Sequence, residues 1–272
     1  MKDDNRTLEV ITPAKAVEYL ESNKDNRPIS QIYVNRYAED MRMGRWKYNG
    51  EAIKFDENGK LIDGQHRLLA CIQSNTPFVT DVVRDLEPDC FTTLDNGKGR
   101  TCGDALAIMS IPNARLVAAI IKKYLLLKDH KTAIATGDQN TPTTTPFIIS
   151  EYDARKDFWQ DIANFTTRSY ANCKAFNKSE IGGIYGYLVL QKMYSAEEAQ
   201  DFFEQLTDMK ATNYDCIRKC RQIFVNDKSR ATHIVGSIRQ ALIAKAWNYF
   251  VRKKDVQHFA YFNDYDKNIW FN

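Results

Sequence analysis

At 272 residues the chain is long enough for one large domain or two ordinary ones. Its 43% hydrophobic and 27% charged residues match a globular protein in water, and no apolar run of about 18 residues is present to span a membrane. The net charge of +3 is too small to argue for nucleic acid by itself.

Charge is nevertheless uneven. Residues 1–105 hold 15 Lys and Arg against 18 Asp and Glu, and the remainder holds 23 against 17. Any DNA contact is therefore expected in the second half. The opening Met1-Lys2-Asp3-Asp4-Asn5 is acidic and polar, unlike a secretory leader, so the cytoplasm is the expected compartment. Six cysteines (Cys71, Cys90, Cys102, Cys173, Cys216, Cys220) form no CxxC pair. Cys216 and Cys220 would share a helix face and read as packing rather than a zinc site.

In chain order, Thr7–Ile11 reads as a strand. Thr12 then caps a helix that starts at Pro13 and runs through Leu20. Asn26-Arg27-Pro28 marks a turn. Ser30 opens a second helix to about Met43, stopped by Gly44, with Ile32, Tyr37 and Met41 expected inward and Val34 nearby. Strands follow at 51–56 and 60–62 around an Asn58-Gly59 hairpin turn. A helix over 64–74 and a strand over 78–84 complete a compact α+β unit.

Leu61 and Ile62 end a strand, and the polar turn Asp63-Gly64-Gln65-His66-Arg67 hands over to a helix. Unpaired N–H groups and the positive dipole end attract phosphate at such a junction. Gly64 permits close backbone approach, Arg67 offers a fork-shaped donor, and Gln65 and His66 add polar groups. The plainer alternative is a capped turn in which Asp63 is the N-cap and His66 and Arg67 face water.

A second polar turn spans Thr93 to Asp104, with two glycines, Lys98 and Arg100 ahead of a Thr101 cap. It suits an anion, although it lacks P-loop spacing. Lys98, Arg100 and Thr101 are candidates for a second phosphate or a nucleic-acid backbone. From residue 106 to 272 the pattern is helical. The 113–128 helix is apolar around most of its circumference, 129–145 is a loop, and further helices open at Thr145-Pro146, Ser179, Ser195, Tyr214 and Thr232. Ile181-Gly-Gly-Ile-Tyr-Gly implies close helix packing.

Phosphoryl chemistry needs positioning, usually a divalent metal, and a base or charge stabiliser. Gly64, Gln65 and Arg67 are candidates to position phosphate. Asp63 and Glu51 are candidates for Mg²⁺ or base duty. His66 is a further candidate to position phosphate, as a general acid or a neutral donor, its protonated form favoured next to a phosphate.

The string Asp63-Gly64-Gln65-His66-Arg67 resembles the signature of the ParB/sulfiredoxin-like superfamily. Free-serine kinases of that fold carry Asp-Gly-His-His-Arg, and nuclease-associated NTPases carry Asp-Gly-Gln-Gln-Arg. Sulfiredoxins place a catalytic cysteine where this chain has Gln65, so sulfinic acid repair is not implied. ParB partition proteins carry a more distant Gly-Glu-Arg-Arg version. The stretch from Gly44 into Leu68 is also similar to phage and mobile-element proteins.

The resemblance covers roughly the first 105 residues. It implies a small mixed-sheet nucleotide-binding domain over 1–105, followed by an all-helical domain over 106–272. An early helix approaches the nucleotide in this superfamily, which adds Arg36. The implied ligand is a nucleoside triphosphate, ATP or CTP, with Mg²⁺, and the implied activity is hydrolysis or phosphoryl transfer, with nuclease coupling in one branch. The alternative is a ParB-like, nucleotide-gated DNA-binding protein of phage or mobile-element origin.

Overall fold

The computed structural model describes residues 5–24, 26, 28–90, 101–129, 144–210, 212–228, 234, 236–256, 259 and 271. The chain forms two compact units, one of residues 1–100 with 139–147 and the other of 101–138 with 148–272. The architecture is α+β, a four-stranded mixed sheet followed by helices. No described helix is long and apolar enough to cross a membrane.

The first unit runs β1 (Arg6–Ile11), α1 (Pro13–Glu21), α2 (Gln31–Arg42), β2 (Ala52–Asp56), β3 (Leu61–Asp63), α3 (Gln65–Ser74) and β4 (Phe78–Leu86). The sheet order is β1-β4-β2-β3. β4 pairs antiparallel with β1 and parallel with β2, and β2 pairs antiparallel with β3. Thr12 caps α1 as its residue type requires, accepting the Lys15 N–H at 3.2 Å.

The three helices share one apolar core with the sheet. Ile11, Ile53, Phe55, Phe78 and Val82 meet Ala16 and Tyr19 of α1, Val34, Ala38 and Met41 of α2, and Leu68 and Cys71 of α3. The buried stripe of α2 is thus Val34–Ala38–Met41, with i, i+4, i+7 spacing. Ile32, expected inward, is only half-buried. β1 also inverts its hydrophobic pattern. Glu9 shares a cluster with Tyr19 of α1 and Arg84 of β4, while Leu8 and Val10 are exposed.

The β2–β3 turn has its own chemistry. Asp56 Oδ1 accepts the N–H groups of Asn58 (2.9 Å) and Lys60 (2.8 Å), and Gly59 takes φ +73°. Asn58 is not among the residues with positive φ. The loop is therefore a bulged turn rather than the mirror-image turn an Asn-Gly pair most often makes.

The second unit contains α4 (Cys102–Ile108), α5 (Ala114–Asp129), most of α6 (Thr145–Ala154), α7 (Lys156–Asn172), α8 (Lys178–Leu190), α9 (Ala196–Thr207), α10 (Asp215–Lys228) and α11 (Gly236–Val251). α5 is its central helix, with Val117, Ile120, Ile121, Tyr124 and Leu125 buried. The glycine-rich stretch of α8 packs as its spacing implies. A Cβ on Gly182 would lie 2.7 Å from Ile120 Cγ1, and one on Gly186 would lie 2.8 Å from Trp159 Cζ3. Burial raises the Cys216 thiol to about 11 and pushes Cys220 up as well, so both sulfurs stay in the unreactive thiol form.

Candidate functional site

β3 delivers Asp63 to the end of the sheet, and Gly64 turns the chain into α3. Gly64 adopts φ +113° and is itself the N-cap. A Cβ there would stand 3.0 Å from Ile53 Cγ1, so only glycine suits both the backbone angle and the space. Asp63 is not the N-cap. Its Oδ2 instead accepts from Lys54 Nζ and from the Arg67 guanidinium, each at 3.1 Å.

Lys54 lies directly opposite Asp63 in the β2–β3 register, and Arg67 also donates to the Ala52 carbonyl at 2.7 Å. Two cations thus share one carboxylate at the start of a helix, leaving a local excess of one positive charge. All three side chains are largely covered; Arg67 is only 12% exposed. The plainer alternative, a turn capped by Asp63 with Arg67 facing water, does not hold: Gly64 is the cap and the Arg67 guanidinium reaches the Ala52 carbonyl at the sheet end.

His66 does not face water either. It is 7% exposed, and its Nε2 accepts the Ser30 N–H at 3.0 Å. In this arrangement Nε2 serves as the acceptor. Tyr33 of α2 meets the His66 ring edge-on at 6.1 Å, and Arg36 lies 5.8 Å from the Tyr33 ring. Arg36 is thus tied to the site through Tyr33.

Gln65 is buried, and its Oε1 accepts from Asn23 Nδ2 at 3.3 Å. Asn26 Nδ2 donates to the Leu61 carbonyl at 3.0 Å, and the Leu61 N–H donates to the Ser22 carbonyl at 3.0 Å. The connection between α1 and α2 therefore covers the edge of β3 with polar contacts and walls the turn. Glu51 precedes Ala52 at the same end of the sheet and is exposed. Its backbone is fixed by the Asn49 and Thr80 side chains. Asp81, opposite Ala52 on β4, is held below the usual carboxylate range by Arg6 and then by Tyr48.

Thr101 caps α4 in a reciprocal box with Asp104, in the second unit. Lys98 and Arg100 lie outside the described residues. Among the described residues no group of three or more His, Cys, Asp and Glu is placed to hold a metal. Mg²⁺ that accompanies phosphate oxygens commonly needs only one or two carboxylates, so this finding does not bear on Asp63 and Glu51 as candidates for such an ion. They do not form a cage for a resident one.

Reading motifs alone missed Lys54, Asn23, Asn26 and Ser30. Lys54 had a signal: counting back from a two-residue turn at Asn58-Gly59 pairs residue 54 with 63. An irregularity between Lys54 and Phe55 preserves that pairing although the real turn is longer. Compared with protein families, curated proteins and solved structures, the chain matches none.

Proposed function

We propose that the chain binds a nucleoside triphosphate through Asp63–Arg67 and hydrolyses it or transfers its phosphoryl group. The observation that carries this reading is the convergence of Lys54 and Arg67 on Asp63 at the helix start opened by Gly64. Two cations held ready by one carboxylate, at the positive end of a helix, suit a polyphosphate tail. The resemblance of Asp63–Arg67 to the ParB/sulfiredoxin-like signature supports the same ligand.

An arriving phosphate competes with Asp63 for Lys54 and Arg67. Asp63 and Glu51 are the carboxylates that would hold a Mg²⁺ ion accompanying the nucleotide, and the ion would supply charge neutralisation to the transferring phosphoryl group. His66 acts as a positioning residue, its ring fixed by Ser30. A proton-transfer role would first require that contact to break. On this reading the protein works in the cytosol, that of the host if its origin is a phage.

Calorimetric titration of ATP, GTP and CTP with Mg²⁺ into the wild type and Arg67→Ala tests the proposal. Saturable binding that weakens by about tenfold or more in the variant is expected, a loss of about 1.4 kcal/mol or more. Turnover of the tightest nucleotide then separates an enzyme from a switch. No binding by any nucleotide overturns the reading.

A further inference from the structure

The two edges of the first unit's sheet are finished differently. β3 is closed by the α1–α2 connection, where the Leu61 N–H donates to the Ser22 carbonyl and Asn26 Nδ2 to the Leu61 carbonyl, each at 3.0 Å. β1 is the other outermost strand. Among the described residues, the backbone of residues 7–10 hydrogen-bonds to β4 alone. Such an edge is a template for another strand unless lysine, proline or a bulge blunts it. β1 contains neither lysine nor proline, and its register with β4 is unbroken over all six residues.

Successive residues of a strand point to opposite faces. Glu9 and Ile11 point to the helical face, Glu9 to Tyr19 and Ile11 into the core. Leu8 and Val10 point away from it and are 63% and 57% exposed, and Val79, opposite Val10 on β4, is 40% exposed. An apolar row therefore runs up to an open backbone edge. The two charged side chains of β1 are already paired, Arg6 with Asp81 and Glu9 with Lys15 and Arg84. What the edge offers is thus apolar side chains and backbone, and a copy of the same strand supplies both.

Charge and capping choose the register of such a pairing. Residues opposite each other across antiparallel strands share a face, so a two-fold pairing of β1 with itself is centred on one residue. A centre on Glu9 sets two carboxylates directly opposite, which is destabilising. A centre on Val10 draws Thr12, the α1 cap, into the strand, and a centre on Thr7 leaves Val10 out. A centre on Leu8 sets Leu8 against Leu8, Arg6 against Val10, and Thr7 against Glu9, so no like charges meet. The Thr7 hydroxyl already donates to its own Glu9 at 2.8 Å, and the same chemistry recurs across the pair. We infer that β1 pairs antiparallel with β1 of a second copy of this chain, centred on Leu8, to form one continuous eight-stranded sheet. The contact is isologous, as in most two-fold dimers. β3 and the Asp63–Arg67 turn lie three strands away at the outer edge, so the pairing does not rest on nucleotide binding.

Sedimentation equilibrium of the full chain, from low to high micromolar concentration, tests this. A reversible monomer–dimer equilibrium is expected. Leu8→Lys sets two ammonium groups face to face and should weaken the dimer by about tenfold or more. Its circular dichroism should match the wild type, because Leu8 is exposed in the monomer. Arg67→Ala should dimerise as the wild type does. Oxidative cross-linking then checks the register. Leu8→Cys places two sulfurs on directly opposite residues, within disulfide reach, whereas the two copies of residue 10 are about 13 Å apart along the strands. A covalent dimer beyond the wild-type background is expected from Leu8→Cys and not from Val10→Cys. A monomer at every concentration would leave the edge to some other partner and overturn the inference. So would a folded Leu8→Lys that dimerises as tightly as the wild type, or cross-linking that favours Val10→Cys.

Discussion

Lys54 and Asp63 face each other across the β2–β3 pair, Nζ to Oδ2 at 3.1 Å, and Arg67 closes on the same oxygen from the first turn of α3. Strand register places the first cation and helix spacing the second. If this pair serves phosphate, Lys54→Met should weaken nucleotide binding by roughly tenfold, about 1.5 kcal/mol, the scale of a hydrogen bond to a charged group. The melting temperature should move little, since Asp63 keeps Arg67 as its partner. Unchanged affinity by calorimetry would remove Lys54 from the site.

Gly64 is constrained twice, by φ +113° and by Ile53 Cγ1 at 3.0 Å from any added Cβ. Gly64→Ala should destabilise the first unit by about 1–3 kcal/mol. Gly59→Ala makes a useful comparison, because it shares a positive φ but has nothing within 4 Å of its Cβ. Equal losses for the two in urea unfolding would show that the contact with Ile53 adds nothing.

Much of this geometry was legible in the sequence for local reasons. Thr12, Pro13, Gly44 and Asn58-Gly59 set element boundaries because caps and turns depend on neighbouring residues. The α8 glycines announced close packing because little else explains them in a soluble helix. What stayed hidden depends on partners distant in sequence. Nothing near His66 says that the Ser30 N–H, 36 positions away, takes its Nε2. Nothing near Glu9 says that Tyr19 and Arg84 will surround it. On α2, Met41 and Val34 pack inward as expected and Tyr37 lies against the core, while Ala38 fills a core position and Ile32 is only half-buried.

The Glu9 cluster makes stability depend on pH. Burial alone would raise the Glu9 carboxyl, but hydrogen bonds from Lys15, Tyr19, Thr7 and Arg84 outweigh it and bring the value from 4.5 to about 2. A group depressed on folding contributes stability that is fully present above its unfolded pKa and is lost as pH falls through its folded one. The first unit should therefore lose stability between about pH 4.5 and pH 2. Glu9→Gln should be less stable at neutral pH and show a shallower acid slope. Denaturant melts from pH 2 to 6 would show it, and identical slopes would remove Glu9 as the source.

Helix packing in the second unit gives a sharper contrast. Gly182→Ala and Gly186→Ala force a Cβ to within 2.7 Å of Ile120 and 2.8 Å of Trp159, both fully buried. Overpacking of this kind costs about 1–3 kcal/mol. Gly236→Ala, in a helix with open space around its Cβ, should be neutral or stabilising by up to about 1 kcal/mol. Thermal melts that rank all three alike would contradict the close approach of α8 to α5 and α7.

Asp63 holds both cations that phosphate would need, so its charge should oppose anion binding when no metal is present. Asp63→Asn keeps the shape and removes the competitor. Tripolyphosphate without Mg²⁺ should then bind about threefold or more tighter, a gain of roughly 0.7 kcal/mol. With Mg²⁺ the ordering should reverse, because the wild-type carboxylate gains a metal partner once phosphate has displaced it. Calorimetry with and without Mg²⁺ separates the two effects. Weaker metal-free binding in Asp63→Asn would mean that Asp63 aligns Lys54 and Arg67 for phosphate rather than competing with it.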